Sequence, residues 1–354
     1  MTKVVVAMSG GVDSSVAAAL LKSQGYEVIG MMLRLWSEAG KEESNRCCTP
    51  EAMSLARRVA ARLDIPFYVV DAKDAFRETV VRYFLEGYAR GETPNPCLAC
   101  NREIRWSLLL DHALALGADY MATGHYARLQ TVDDGRVELL RGVDRAKDQS
   151  YVLHVLTQEK LHRALFPVGQ YTKPEIRTLA EEYGLPTASR HDSQDLCFLA
   201  GDDYRNFLRR NAPGLAKPGP IVTSDGAVIG EHAGLANYTI GQRKGLNVPS
   251  GVPLYVLGKD ALSNALRVGP RQELGSTTLT AESINWTAGA AKVGTFQANV
   301  KIRYTAAEAA AMVEVVDGGN RAKVRFEAPQ RDITPGQAAV FYDGDVVVGG
   351  GIIR

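Results

Sequence analysis

The chain has 354 residues, 45% of them hydrophobic, and 41 Lys and Arg against 40 Asp and Glu give a formal net charge of +1. That length supports a sizeable core divided among two or three domains, while the near-neutral charge excludes a broadly basic surface and leaves any contact with nucleic acid to local clusters. No apolar run reaches membrane-spanning length and the amino terminus enters a strand directly rather than a signal peptide, so no membrane partner and a cytoplasmic location are expected. Five cysteines, Cys47, Cys48, Cys97, Cys100 and Cys197, are an odd and sparse set that points to reactive or metal-binding thiols rather than a disulfide framework.

The first predicted strand, Lys3 to Met8, runs into Ser9-Gly10-Gly11-Val12-Asp13-Ser14-Ser15 and then into an alanine-rich helix. Two glycines let the backbone turn sharply and aim successive N–H groups at an anion, and Ser14 and Ser15 add hydroxyl donors at the positive end of the helix dipole. Ala7, Met8, Ser9, Gly10, Gly11, Val12, Asp13 and Ser14 thus form a candidate cradle for the phosphates of ATP, with Asp13 placed to help hold a magnesium ion. The loop lacks the Lys-Ser/Thr ending of a Walker A motif, so cleavage between the α- and β-phosphates fits better than loss of the γ-phosphate. It resembles the PP-loop signature of ATP pyrophosphatases, which transfer AMP to an oxygen and release pyrophosphate.

Further strands are predicted at Tyr26 to Leu33, Phe67 to Val70 and Ala118 to Ala122, and helices at Pro50 to Leu63, Asp74 to Arg90 and Asn101 to Leu116. Thr49 serves as N-cap and Pro50 as first residue of the first of these helices. This alternation implies an α/β fold, a doubly wound parallel sheet whose ligands sit at the carboxyl ends of the strands. Adenine contacts are expected from the main chain near Leu33 and Gly124. Downstream of Ala212-Pro213-Gly214 the helical period mostly stops, and Asp-Gly turns between short β-like runs suggest a small β-rich central domain followed by an antiparallel β-barrel. The expected domains are residues 1–203, 204–273 and 274–354.

Cys100 lies just before the predicted helix starting at Asn101, where helix N–H groups and Arg102 would favour its thiolate. Asp192-Ser193-Gln194-Asp195-Leu196-Cys197-Phe198 supplies a thiol that could meet Cys100 across the carboxyl edge of the sheet. Cys97 and Cys100 form a CxxC, and with Cys197 they could ligate a 4Fe-4S cluster with one open iron; zinc would need a second ligand pair, which is missing. Cys47 and Cys48, near Glu42, Glu43 and Arg46, read as structural or incidental.

The loop at Ser9, Asn95-Pro96 with Cys100-Asn101, Gly124-His125-Tyr126, Lys147-Asp148-Gln149-Ser150-Tyr151, Cys197-Phe198, Gly241-Gln242-Arg243-Lys244-Gly245-Leu246 and the tail from Thr334 resemble, in order and spacing, the tRNA-specific 2-thiouridylases. The resemblance implies adenylation of the 2-carbonyl of the wobble uridine, so that its oxygen leaves as part of AMP. Cys197 would then receive sulfur as a persulfide from a donor protein, a cysteine desulfurase or sulfur carrier, with Cys100 as catalytic nucleophile and a Cys100–Cys197 disulfide to be reduced afterwards. Asn95, Pro96 and Cys97 would meet the target base, although the best-known family members carry aspartate at the position of Cys97. Contacts to the tRNA anticodon arm would come from His125, Lys147, Asp148, Gln149, Arg303, Tyr304 and Gln337, with Arg205, Arg209, Arg210, Arg243, Lys244 and Lys301 as further basic residues. His125 also reads as a satisfied structural residue. Another PP-loop adenylating enzyme, of the arginine-succinate or guanylate synthetase type, would leave Cys100 and Cys197 idle, and a tRNA-binding scaffold would release no pyrophosphate.

Overall fold

The computed structural model describes residues 1–41, 49–190, 196–199 and 201–354; Cys47, Cys48 and Asp192 to Asp195 lie outside them. Among the described residues the strands form three sheets. The first is parallel, in the order β3-β2-β1-β4-β7, from β1 (Lys3–Ala7), β2 (Glu27–Arg34), β3 (Phe67–Asp71), β4 (Tyr120–Ala122) and β7 (Ala164–Leu165). Val4, Val5 and Val6 are wholly buried, as a strand covered on both faces requires. One face carries helix α1 (Val12–Ser23) and helix α2 (Pro50–Arg62). The run Ala17 to Ala19 has no bulk to separate α1 from its neighbours, and it packs with Ile176 and Ala180 of the helix Lys173–Glu182. Thr49 caps α2 as expected, its hydroxyl accepting from the Ala52 amide at 3.0 Å, with Pro50 in the first turn.

The other face carries a helical run over residues 96–115, whose Trp106 is completely buried. Its core does not end with this domain. Trp106, Leu109 and Tyr151 pack together with Ala338, Val340, Tyr342 and Val347 near the carboxyl terminus. A hairpin of β5 (Ala127–Thr131) and β6 (Val137–Arg141) joins that terminal sheet through Leu140, opposite Val346. Only alternating strands and helices are expected of the first domain, and this antiparallel hairpin departs from that pattern. Its turn, Asp133-Asp134-Gly135, carries the signal, but the strand it joins lies near the other end of the chain.

The central sheet runs β10-β11-β8-β9, built from β8 (Gly219–Val222), β9 (Val228–His232), β10 (Leu254–Asp260) and β11 (Ala265–Pro270) around Ile221, Val256, Leu266 and Val268. The last strands are β12 (Ser276–Trp286), β13 (Thr295–Lys301), β14 (Ala309–Val316), β15 (Arg321–Gln330), β16 (Ala338–Asp343) and β17 (Val346–Ile353). They run β12-β15-β14-β13-β16-β17, and β17 pairs back to β12, which closes an antiparallel barrel and leaves no open edge within it.

Candidate active site

In the order β3-β2-β1-β4-β7 the chain reverses direction between β1 and β4, the point where open α/β sheets bind ligands beyond their carboxyl ends. The Ser9 to Ser15 loop leaves β1 there. Gly10 has φ +70°, and a Cβ on it would lie 2.4 Å from the Ala52 carbonyl oxygen, so this position demands glycine. Ser15 donates to the Gly11 carbonyl at 2.8 Å, while the Ser14 hydroxyl accepts from the Ser9 amide at 3.2 Å and donates to Gly11 O at 3.2 Å. Gly11 caps α1 without a side chain, which leaves the first-turn amides directed at whatever occupies the loop mouth. Gly124, just after β4, closes against them: a Cβ there would sit 2.6 Å from the Ser14 nitrogen. Leu33 stands near the carboxyl end of β2, two residues beyond Met31, whose carbonyl accepts from the Met8 amide at 2.8 Å.

Three remote residues complete the loop, and of these the sequence points only to Tyr126, within Gly124-His125-Tyr126. Lys173 Nζ donates to Asp13 Oδ1 at 2.6 Å and the Tyr126 hydroxyl donates to the same oxygen at 2.8 Å. Arg190 donates to the Gly10 carbonyl at 2.6 Å. Lys173 brings to this loop the ammonium that its sequence lacks, from the start of a helix far along the chain, and its 8% exposure was the missing clue. Asp13 suits a magnesium ion carried on a triphosphate, because such an ion takes one or two carboxylates and draws its other ligands from phosphate oxygens and water.

The thiols lie farther along the same edge. Asn95 caps the helical run, its side chain accepting from the Cys97 amide at 3.1 Å, and Pro96 is its first residue. The helix therefore starts before Cys97, not at Asn101. Cys97 takes the first turn and is exposed, whereas Cys100 sits one turn in, half-buried, where the helix widens into i→i+5 turns over Cys100–Leu109. The dipole argument made for Cys100 thus applies to Cys97. Asn before Pro is itself a start signal that the earlier boundary passed over.

Cys100 and Cys197 pack against one apolar cluster that includes Leu35, Ala72, Phe84, Ala99 and Phe198, with Leu33 and Trp36 at its margin. Leu33, Leu35 and Ala72 end or follow β2 and β3, so this cluster stands at the carboxyl edge that also holds the nucleotide loop. Phe198 is fixed by edge contacts to Phe84 and Phe207, centroids 5.2 and 5.3 Å away. Among the described residues no three His, Cys, Asp or Glu side chains gather closely enough to hold a metal ion. Cys97, Cys100 and Cys197 do not form the cradle that a 4Fe-4S cluster needs.

The loop leading to Asn95 is where all three sheets' domains meet. The Thr93 amide donates to Pro335 O at 2.8 Å, Gln337 Nε2 donates to Thr93 O at 2.7 Å, and Lys259 of the central sheet donates to Glu92 O at 3.1 Å. Tyr304, 40% exposed, stands beside Tyr151 with Lys301 over its ring at 5.7 Å. Burial pushes its phenol up, Asp148 and Cys97 push the same way and Lys147 opposes them, which puts those side chains within electrostatic reach of Tyr304.

Several other expected RNA contacts are engaged by neighbouring groups of the protein. His125 is 6% exposed, with Thr123 Oγ1 2.6 Å from Nδ1 and Arg105 2.9 Å from Nε2. Asp148 is buried and accepts from Gly142, Ser150 and the Ser150 hydroxyl, and Gln149 accepts from the Tyr126 amide at 3.1 Å. Arg303 donates to Ile240 O at 3.2 Å and to the Thr334 hydroxyl. Arg210 is held by Glu38 and Asp202, and Arg205 by Asp203 and Asn237. Arg243 and Lys244 are exposed.

Comparison with known proteins matches three families to successive parts of the chain. The family described as tRNA methyl transferase HUP domain matches residues 2–201, the tRNA methyl transferase PRC-barrel domain residues 205–270, and the aminomethyltransferase beta-barrel domain residues 276–353. The tRNA-specific 2-thiouridylase MnmA of Roseiflexus castenholzii is 49% identical, covering 100% of this chain and 99% of the relative. That of Moorella thermoacetica is 50% identical, covering 99% and 98%. Among solved structures, the U34-tRNA thiolase of Methanococcus maripaludis with its [4Fe-4S] cluster is 21% identical with a TM-score of 0.36, over 60% of this chain and 67% of that one. With half its residues shared along the full length of such relatives, the chain belongs to the tRNA-specific 2-thiouridylase family.

Proposed function

We propose that the protein is an ATP-dependent tRNA-uridine 2-sulfurtransferase acting on the wobble uridine of the anticodon arm. ATP lies over the Ser9 to Ser15 loop with its triphosphate on the first-turn amides of α1, and Asp13 holds the accompanying magnesium ion. Lys173 is within reach of the same phosphates, where it offsets charge gathering on departing pyrophosphate. The uridine 2-oxygen attacks the α-phosphorus, pyrophosphate leaves, and the oxygen becomes a leaving group in the form of AMP.

A sulfur-donor protein loads Cys197 as a persulfide. Its terminal sulfur attacks C2 and AMP departs with the original oxygen. The Cys100 thiolate then attacks Cys197 Sγ, the S–S bond breaks, the sulfur stays on the base as a thiocarbonyl, and the two cysteines are left as a disulfide. The transferred sulfur gains the two electrons that the cysteines lose, so an external thiol must restore them before the next turnover.

Asn95, Pro96 and Cys97 border the target base, and Tyr304 provides an exposed ring on which it can stack. Lys147 and the exposed Arg243 and Lys244 supply phosphate contacts, whereas His125, Asp148, Gln149, Arg303 and Gln337 shape the surface from beneath. The observation that carries this reading is the packing of Cys100 and Cys197 on one apolar cluster at the sheet edge that holds the nucleotide loop. The test is product analysis. Protein, ATP, magnesium, unmodified tRNA, a cysteine desulfurase with cysteine as persulfide donor and a reducing thiol are combined, and the digested RNA is searched by mass spectrometry. 2-Thiouridine formed only with ATP is expected; its absence from a folded, tRNA-binding protein overturns the assignment.

A further inference from the structure

A buried polar chain runs behind the nucleotide loop, and the proposed sulfur transfer makes no use of it. Asn101, 1% exposed, donates from Nδ2 to Val152 O at 3.2 Å, and its Oδ1 accepts from Arg105 at 3.4 Å. Arg105 Nη1 also lies 2.9 Å from His125 Nε2, and His125 Nδ1 lies 2.6 Å from Thr123 Oγ1. A guanidinium can only donate, so Nε2 must be the acceptor. Burial, aided by the Arg105 charge, holds the imidazole neutral by driving its pKa well below the usual value. The ring therefore carries its one proton on Nδ1 and gives it to Thr123.

Gly124 lies between the two ends of that Thr123–His125 bond, in contact with the first turn of α1, where a Cβ would meet the Ser14 nitrogen at 2.6 Å and the Asp13 carbonyl carbon at 2.8 Å. At the other end, Asn101 and Arg105 belong to the helix that carries Cys97 and Cys100. We propose that Arg105 is a positioning residue of the nucleotide site: by fixing the Nδ1–H form of His125 it sets the Gly124 turn against the α1 amides and ties the cysteine helix to that turn. It touches neither ATP nor sulfur. This inference rests on the reading of the Ser9 loop as the ATP site, and its first test is independent of that reading.

In protein with 15N-labelled histidine, correlation spectra should show the His125 proton bonded to Nδ1 and bare Nε2 from neutral pH down through the usual imidazole pKa. A proton on Nε2, or a doubly protonated ring in that range, overturns the proposal. The second test is ATP–magnesium binding by calorimetry. Arg105→Met should weaken it about tenfold, and Arg105→Lys, which keeps a donor, by no more than about twofold. Unchanged ATP affinity in a folded Arg105→Met protein overturns the proposal, as does equal loss in both variants. If wild-type protein binds ATP but forms no 2-thiouridine, the functional reading fails while Arg105 is still tested.

Discussion

The nucleotide loop and the thiol site share one sheet edge but are built in opposite ways. The loop is made from consecutive residues whose backbone cradles the phosphates through glycines and small hydroxyls, and Lys173 adds from elsewhere the charge that it lacks. The thiol site is assembled from separated pieces: Cys100 on a helix capped by Asn95, Cys197 on a segment held by Phe198, and a junction at Glu92 and Thr93 gripped by both the central sheet and the barrel. A contiguous loop tolerates motion of its neighbours, whereas a composite site depends on how whole domains dock. Activation should therefore be separable from sulfur delivery, while delivery should depend on every part of the frame.

The sharpest break between the two comes from the cysteines. Cys100→Ser and Cys197→Ser should each cut 2-thiouridine formation by at least about a thousandfold while pyrophosphate release with tRNA stays within a few-fold of wild type, measured in parallel assays. Next come changes at the loop. Gly124→Ala forces a Cβ to within 2.6 Å of the Ser14 nitrogen and should lower pyrophosphate release about a hundredfold, since displacement of about 1 Å costs that much. Lys173→Met should have a loss of similar order, about a hundredfold in kcat, if the ammonium acts on departing phosphate.

Smaller effects probe the frame. His154 is buried beside the barrel, donating from Nδ1 to Tyr151 O at 2.7 Å, and burial lowers its pKa from 6.5 to about 4. The unfolded chain binds a proton below pH 6.5 that the folded one refuses until about pH 4, so stability is intact above 6.5 and falls as the pH drops through this window. The loss should reach about 3 kcal/mol by pH 4 in urea titrations, and His154→Gln should flatten that part of the profile. Last, Arg243→Ala with Lys244→Ala should reduce the salt-dependence slope of tRNA binding by about 1 to 2, and an unchanged slope removes them from the RNA surface.

These two constructions also explain what could be read in the sequence. The loop was legible because its function lies in a contiguous pattern, strand then Ser-Gly-Gly then helix, with Gly10 forced by backbone geometry. The parallel sheet and the terminal barrel followed from periodicity and turns. Lys173 was not legible: at the start of an amphipathic helix, after a capping threonine, it looks like a solvated cation, and only the fold shows Asp13 at its end. Arg105 was likewise one basic residue among several on a helix. The hairpin at Ala127 was missed because its partner strand comes from the last residues of the chain, and the helix carrying Cys100 was started late, at Asn101, because Asn95-Pro96 was passed over as a start signal.

The central claim is that one edge first activates a uridine and then sulfurates it. It is tested most directly by following both products in a single reaction, with pyrophosphate and 2-thiouridine counted against added tRNA in the wild type and in Cys197→Ser. One pyrophosphate for each thiolated base in the wild type, and pyrophosphate without thiolation in the variant, is the predicted result. Thiolation that persists in Cys197→Ser, or that proceeds in the wild type without pyrophosphate, would contradict it.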